Sequence, residues 1–267
     1  MKIIDRDGLT MVQSRVSSFN VGMTVYYFFI DGLLIDTGPS RLRGDFIQFF
    51  NSRKVEQAVF THHHEDHTGM AAWLEQNTAI PLYLHKTGHP QAEMDARLPL
   101  YRRLFWGKRK AFRPQNVPGV IETERHRFDV IHTPGHAHDH VALLDKENGR
   151  LFSGDLYLSG HPKSMFAFES VPEMVKSIET LLRYDFDYLI CSHSGFIEDG
   201  KEALREKLNY LTAIQEEVKG LYEQGVPPRQ IKKQLFPKIS PLNIVSFFEN
   251  SPYHIVRSIT EGLKKGY

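Results

Sequence analysis

The segment Thr61-His62-His63-His64-Glu65-Asp66-His67, directly after the apolar run Ala58-Val59-Phe60, constrains this chain more than any other stretch. It compresses the pattern H-x-H-x-D-H into one strand-to-loop junction. Side chains two apart on an extended segment point the same way, so His62 and His64 can converge on one metal ion. Asp66 and His67, where the chain turns, can reach a neighbouring ion. Imidazole and carboxylate donors without thiolate suit Zn²⁺, Fe, Mn or Co²⁺. An affinity tag is an unbroken terminal run, whereas this cluster is internal and interrupted by two acids. The cluster reads as a metal site.

Three further segments supply donors. Thr133-Pro134-Gly135-His136 follows the alternating stretch 128–131, Leu151-Phe152-Ser153-Gly154-Asp155 ends in glycine and a carboxylate, and Tyr188-Leu189-Ile190-Cys191-Ser192-His193 ends in histidine. Each places a small or turn-forming residue beside the candidate ligand at a strand's C-terminal edge, where loops gather functional groups.

With these motifs in place the chain resembles the metallo-β-lactamase superfamily, from Asp36-Thr37-Gly38 through H-x-H-x-D-H, T-P-G-H and S-G-D to S-H-S-G. The resemblance implies that His62, His64 and His136 hold one divalent ion, that Asp66, His67 and His193 hold a second, and that Asp155 bridges the two. Zinc is the expected metal, with iron or manganese as alternatives. Asp36 and His140 would support the ligands from behind. The ligand pattern leaves room for a bridging water or hydroxide.

Composition fits a cytoplasmic enzyme of this kind. At 267 residues the chain can bury a sizeable core as one domain, and its net charge of +1 gives no general attraction to nucleic acid or to a membrane surface. No apolar run approaches membrane-spanning length. The single cysteine, Cys191, excludes an internal disulfide and is read as a buried small hydrophobe rather than a redox-sensitive neighbour of the site.

Asp31-Gly32 predicts a hairpin between strands at 26–30 and 33–36, and Asn148-Gly149 another between 141–144 and 150–153. Ser40 is expected to cap a helix carrying Phe46, Ile47, Phe49 and Phe50. A helix over 172–184 presents an apolar face. The pattern alone predicts a mixed α and β domain. The resemblance implies an αββα sandwich of two mixed sheets flanked by helices over 1–225, with a helical C-terminal extension over 226–267.

An inserted helical segment near 86–118 carries the basic aromatic stretch 101–110. Arginines on phosphates with aromatics stacked on bases would bind nucleic acid, but near-neutral net charge favours aromatics packed on the domain, or a lid over the cleft. Arg102, Arg103, Lys108 or Arg109 could then meet an anionic group of a small-molecule substrate, and no nucleic-acid partner is expected.

Two close metals lower the pKa of bound water from 15.7 toward about 7 and stabilise charge on the attacked oxygen. The expected reaction is hydrolysis of a small ester, thioester or lactone, with Asp66 and Asp155 as catalytic carboxylates. A phosphodiesterase or nuclease, a mononuclear iron sulfur dioxygenase of the same superfamily, and a non-catalytic binding protein are the alternatives. A bridging Asp155 disfavours antibiotic hydrolysis. Lactonases place a tyrosine three residues after the bridging aspartate, whereas Tyr157 lies two after it and is a candidate substrate contact. Glyoxalase II has a similar ligand pattern, but its basic glutathione cluster is not identifiable here. The long tRNA-binding arm of RNase Z is absent, and His64 stands where flavodiiron proteins have glutamate. His63 is expected to point away from His62 and His64.

Overall fold

The computed structural model describes residues 1–18, 21–264 and 266. Two tight hairpins begin the first sheet. Strand β1 (Lys2–Arg6) turns into β2 (Leu9–Ser18) through Asp7-Gly8, and β3 (Val21–Ile30) turns into β4 (Leu33–Ile35) through Asp31-Gly32. Both residues of each turn have positive φ, 48° and 79° in the first and 47° and 84° in the second. That geometry matches the twist of the paired strands, and Asp-Gly tolerates it. The chain then crosses through helix α1 (Arg43–Asn51) to β5 (Gln57–Val59) and through α2 (Ala71–Asn77) to β6 (Leu82–Leu84), each strand parallel to the one before. Helices α3 (His89–Ala92) and α4 (Leu100–Trp106) precede β7 (Gln115–Asn116), which completes a seven-stranded sheet in sequential order.

The second sheet begins with β8 (Val120–Glu122), β9 (Arg127–His132), β10 (Val141–Asp145) and β11 (Arg150–Gly154). A short strand β12 (Met165–Phe166) and helix α5 (Val171–Leu181) lead to β13 (Tyr188–Cys191), parallel to β11, and β14 (Gly195–Ile197). The six strands lie in the order β14-β13-β11-β10-β9-β8. Helices α6 (Gly200–Glu223), α7 (Pro228–Leu235) and α8 (Pro241–Val245) follow. Strand β15 (Asn250–Ser251), paired with β12, and helix α9 (Pro252–Lys264) come last.

Alternation along the strands decides which layer each side chain joins. On β10, Val141 and Leu143 meet Phe28, Ile30, Phe152 and Ile190 between the sheets, while Ala142 and Leu144 face the helices. Phe46, Phe49 and Leu74 of α1 and α2 cover the far side of the first sheet. Ile178, Leu204, Ile231 and Val256, from α5, α6, α7 and α9, cover the second. The architecture is the αββα sandwich of two mixed sheets. Segment 226–267 contributes Ile231 and Val256 to the same core as the second sheet. No described helix is long and apolar enough to cross a membrane.

Two local expectations fail. Ser40 does not cap α1, because a 3-10 turn over Ser40–Leu42 precedes the helix and the Ser40 hydroxyl donates to Trp106 O at 3.4 Å. The extended segment expected to run through the histidines ends at Val59. Asp36 Oδ1 takes the Thr61 amide at 2.8 Å, and Thr61 O takes the Val141 amide of the other sheet at 2.8 Å. The histidines therefore lie on a loop that joins the edges of both sheets.

Candidate metal centre

Turning of that loop, rather than strand alternation, brings the first donors together. His62 Nε2 lies 2.9 Å from His64 Nδ1, which lies 3.1 Å from His136 Nε2 on the loop after β9. Facing ring nitrogens at this distance repel unless a proton or a cation lies between them. Beside them gather Asp66, His67, Asp155 and His193, whose donor atoms lie within 4.8 Å of one another. One oxygen reaches both groups: Asp155 Oδ2 is 3.4 Å from His136 Nε2 and 3.2 Å from His193 Nε2. His67 Nε2 and Asp155 Oδ1, 3.4 Å apart, are buried without an acceptable hydrogen bond. Such atoms are rare in folded proteins, and a cation between them would satisfy both. All seven predicted donors lie in one constellation, and either set could hold a metal ion.

Most of the ligand rings are aimed through their far nitrogen. Asp36 adopts φ 60°, and from it accepts the Thr61 amide, the Thr61 hydroxyl at 2.9 Å and His67 Nδ1 at 2.8 Å. The Thr61 hydroxyl in turn accepts from His62 Nδ1 at 3.1 Å, which leaves Nε2 free as a donor atom. His136 Nδ1 donates to Glu169 Oε1 at 2.8 Å and His193 Nδ1 to Thr24 O at 2.6 Å. His140 accepts the Asp155 amide on Nε2 at 3.0 Å and donates from Nδ1 to Thr133 Oγ1 at 2.8 Å. Glycine is required beside it, since a Cβ on Gly154 (φ 48°) would lie 2.4 Å from His140 Nε2.

Electrostatics divide the donors. Burial, reinforced by crowding among the imidazoles, holds His62 and His64 well below the usual histidine range, so both are neutral ligands. Burial also opposes charge on His67 and His193, but Asp155 and Asp66 outweigh it and raise both well above that range. Burial would push Asp155 up, yet His193 and His67 hold it well below the carboxylate range. This half of the site is a pocket of buried carboxylates that requires positive charge, as protons or as metal ions.

A cavity of about 480 Å³ opens onto these donors. Its walls include Tyr101, Arg102 and Trp106 of α4, Phe168 and Glu169, Lys207 of α6, and Ile255 of α9. Tyr157, expected as a substrate contact, is not among the residues lining it: its side chain packs in the core with Leu204 and Ile255. Two of the four basic residues considered for substrate are committed elsewhere. Arg102 makes a two-pronged pair with Glu65 at 2.6 and 2.8 Å, and Arg109 donates to the carbonyls of Ala92, Met94 and Gln91. His63 Nδ1 meets Asp139 Oδ1 at 2.8 Å instead of joining His62 and His64. Cys191 is fully buried, burial raises its thiol, and its sulfur accepts the amides of His193 and Ser194.

Sequence reasoning missed Glu169 and Lys207. No motif marks Glu169, which reaches His136 from the turn before α5. Lys207 carried a signal, as the one charge in the apolar stripe Leu204-Lys207-Leu211-Val218 of α6.

The sequence profile described as metallo-beta-lactamase superfamily matches residues 21–193. A lactamase-like protein, aptB, of Emericella nidulans is 26% identical over 199 residues, covering 72% of this chain and 57% of its own length. A hydroxyacylglutathione hydrolase of Xylella fastidiosa is 32% identical over 136 residues, covering 50% of this chain and 44% of its own. The chain thus spans about half the length of these curated relatives. Among solved structures, a metallo-beta-lactamase family protein from Thermus thermophilus superposes with a TM-score of 0.71 at 20% identity, over 97% of this chain and 94% of that one. A beta-lactamase domain protein from Burkholderia ambifaria gives 0.67 at 17% identity, over 95% and 87%. The matched span contains all seven donors and the strands that lead into them, and the chain belongs to the metallo-beta-lactamase superfamily.

Proposed function

We propose that this chain is a metal-dependent hydrolase of a small ester, thioester or lactone. In this reading His62, His64 and His136 would hold one divalent ion, Asp66, His67 and His193 would hold a second, and Asp155 would serve both, with zinc the first candidate. The observation that carries it is the reach of Asp155 Oδ2, within 3.4 Å of ring nitrogens from both sets. When bound, two such ions supply acidified water and polarise the oxygen of the bond under attack. The chain's own residues do the rest. Asp36, Glu169 and Thr24 O fix the rings so that the donors need no rearrangement during reaction. Asp66 lines the cavity with Oδ2 3.4 Å from His193 Nε2, and is the base that accepts a proton from attacking water. Trp106, Met165 and Phe168 exclude bulk solvent from the reacting bond.

The cavity volume and its apolar walls fit a small organic substrate rather than a polymer. Similarity to a hydroxyacylglutathione hydrolase, whose named substrate is a thioester, supports a thioester as one such substrate. However, Lys207, Leu242, Asn250 and Ile255 of the substrate wall lie beyond the span that the family profile matches. Turnover by the metal-reconstituted full chain should be measured on small thioesters, lactones, phosphodiesters and RNA. Acyl substrates are expected to be preferred. Salt-sensitive RNA binding with cleavage at a defined position would move the chain to the nuclease branch, and oxygen uptake with a persulfide at one iron per chain to the dioxygenase branch.

A further inference from the structure

Lys207 stands on the buried face of α6, between Leu204 and Leu211, and is 2% exposed. A charge in such a stripe is unfavourable unless something pairs with it. Its ammonium has three N–H groups, of which one makes a hydrogen bond among the described residues: Nζ donates to Leu156 O at 2.6 Å, and the Tyr157 ring centroid lies 6.0 Å from it. The carboxylates that favour its charge through space are engaged elsewhere. Glu169 binds His136 Nδ1 and the Phe166 amide, and Asp155 faces the imidazoles of His67, His136 and His193. Neither forms an ion pair with Lys207 among the described residues. Yet Lys207 lines the cavity that opens onto the metal donors.

We propose that Lys207 forms, in the wall of that cavity, a subsite for a carboxylate that the substrate carries in addition to the bond it cleaves. The inference rests on the reading of the cavity as a hydrolase site and names the substrate class within it. A single ammonium with two free N–H directions matches a monoanion. A phosphate dianion at this wall would carry a second charge that the one Lys207 ammonium does not match, with Glu169 lining the same cavity. Met165, Leu211 and Ile255, on the same wall, suit a short alkyl spacer between the two polar ends. Burial brings Lys207 down to about 8, so it still carries its charge at neutral pH.

The test is calorimetric binding of glutarate and of its monoamide, glutaramate, to the metal-loaded full chain. One carboxylate of either compound can meet the metals, and only glutarate brings a second to Lys207. Glutarate should bind at least about tenfold more tightly, as a charge-assisted hydrogen bond requires. Lys207→Met should bring the two affinities together while leaving glutaramate binding unchanged, which a merely structural lysine would not do. Lys207→Gln, which keeps a donor for Leu156 O, takes its place if Lys207→Met does not fold. Equal affinities in the unaltered protein would overturn the proposal. So would a preference for glutarate that survives loss of the lysine, or tighter Lys207-dependent binding of inorganic phosphate. Because binding needs no turnover, the two readings fail separately. A chain that hydrolyses neutral thioesters but binds both compounds alike keeps the hydrolase and loses the subsite. One that hydrolyses nothing yet discriminates through Lys207 does the reverse.

Discussion

At the scale of single residues, Glu169 and Lys207 act in opposite ways on stability and function. Glu169 orients His136 through Nδ1, the ring nitrogen opposite the one that faces the other donors. Glu169→Gln should weaken metal binding by roughly 10- to 100-fold with the fold intact, as loss of an outer-shell partner does. Competition against a chelator would measure it, and unchanged affinity would remove Glu169 from the site. Lys207 has a folded value of about 8 against an ordinary 10.5. A lysine depressed in the fold binds protons less well there than in the unfolded chain. It therefore disfavours folding below about pH 8, and the penalty fades as pH rises toward the unfolded value. At neutral pH that penalty is about 3 kcal/mol, reduced to about 2 kcal/mol net in Lys207→Met, which also loses the hydrogen bond to Leu156 O. Urea denaturation should find Lys207→Met the more stable protein at pH 7, with the advantage shrinking above about pH 8 and reversing near about pH 10, where the lost hydrogen bond outweighs the fading penalty. The donors themselves were legible in the sequence because each lies in a loop that follows a short strand, in a motif with a small or turn-forming residue. Glu169 was not, since its carboxylate arrives from a turn without a motif.

At the scale of elements, the hairpins at Asp31-Gly32 and Asn148-Gly149 were legible because a two-residue signal fixes them locally. The insertion was only half legible. Its aromatics pack on the domain, with Tyr101, Phe105 and Trp106 against Val16 and Val25, but nothing in the sequence told that Arg102 would turn inward. Arg102 joins α4 to Glu65 in the histidine loop and, at 3.4 Å, to Glu249 near the C-terminus. Glu65 is 2% exposed, and removal of a partner from a buried pair leaves an uncompensated charge. Arg102→Ala should destabilise the protein by roughly 3 kcal/mol and raise KM, while Arg102→Met with Glu65→Gln should recover most of the stability. Equal melting temperatures for the single and double variants would show that the pair does not hold α4 in place.

At the scale of the whole molecule, the sandwich supplies the donors, and α6 and α9, outside the matched span, add Lys207, Leu211 and Ile255 to the cavity wall. That wall was not readable in advance, because it forms only when α4, α6 and α9 meet across large separations in sequence. The C-terminal segment cannot be dispensed with on this account. Ile231 and Val256 are fully buried against the second sheet, each stabilising the fold by roughly 1.5–3 kcal/mol. A chain ending at residue 225 should lose cooperative thermal unfolding, and retention of it would show that the sandwich stands alone. In the proposed function Asp155 would join two metal positions into one hydrolytic site. Titration of metal-free protein with Zn²⁺, while hydrolysis of a small thioester is followed, tests this. The rate should climb until two equivalents are bound, and an Asp155→Asn protein should stay inactive at the same loading. Full activity at one equivalent, or an active Asp155→Asn protein, would contradict it.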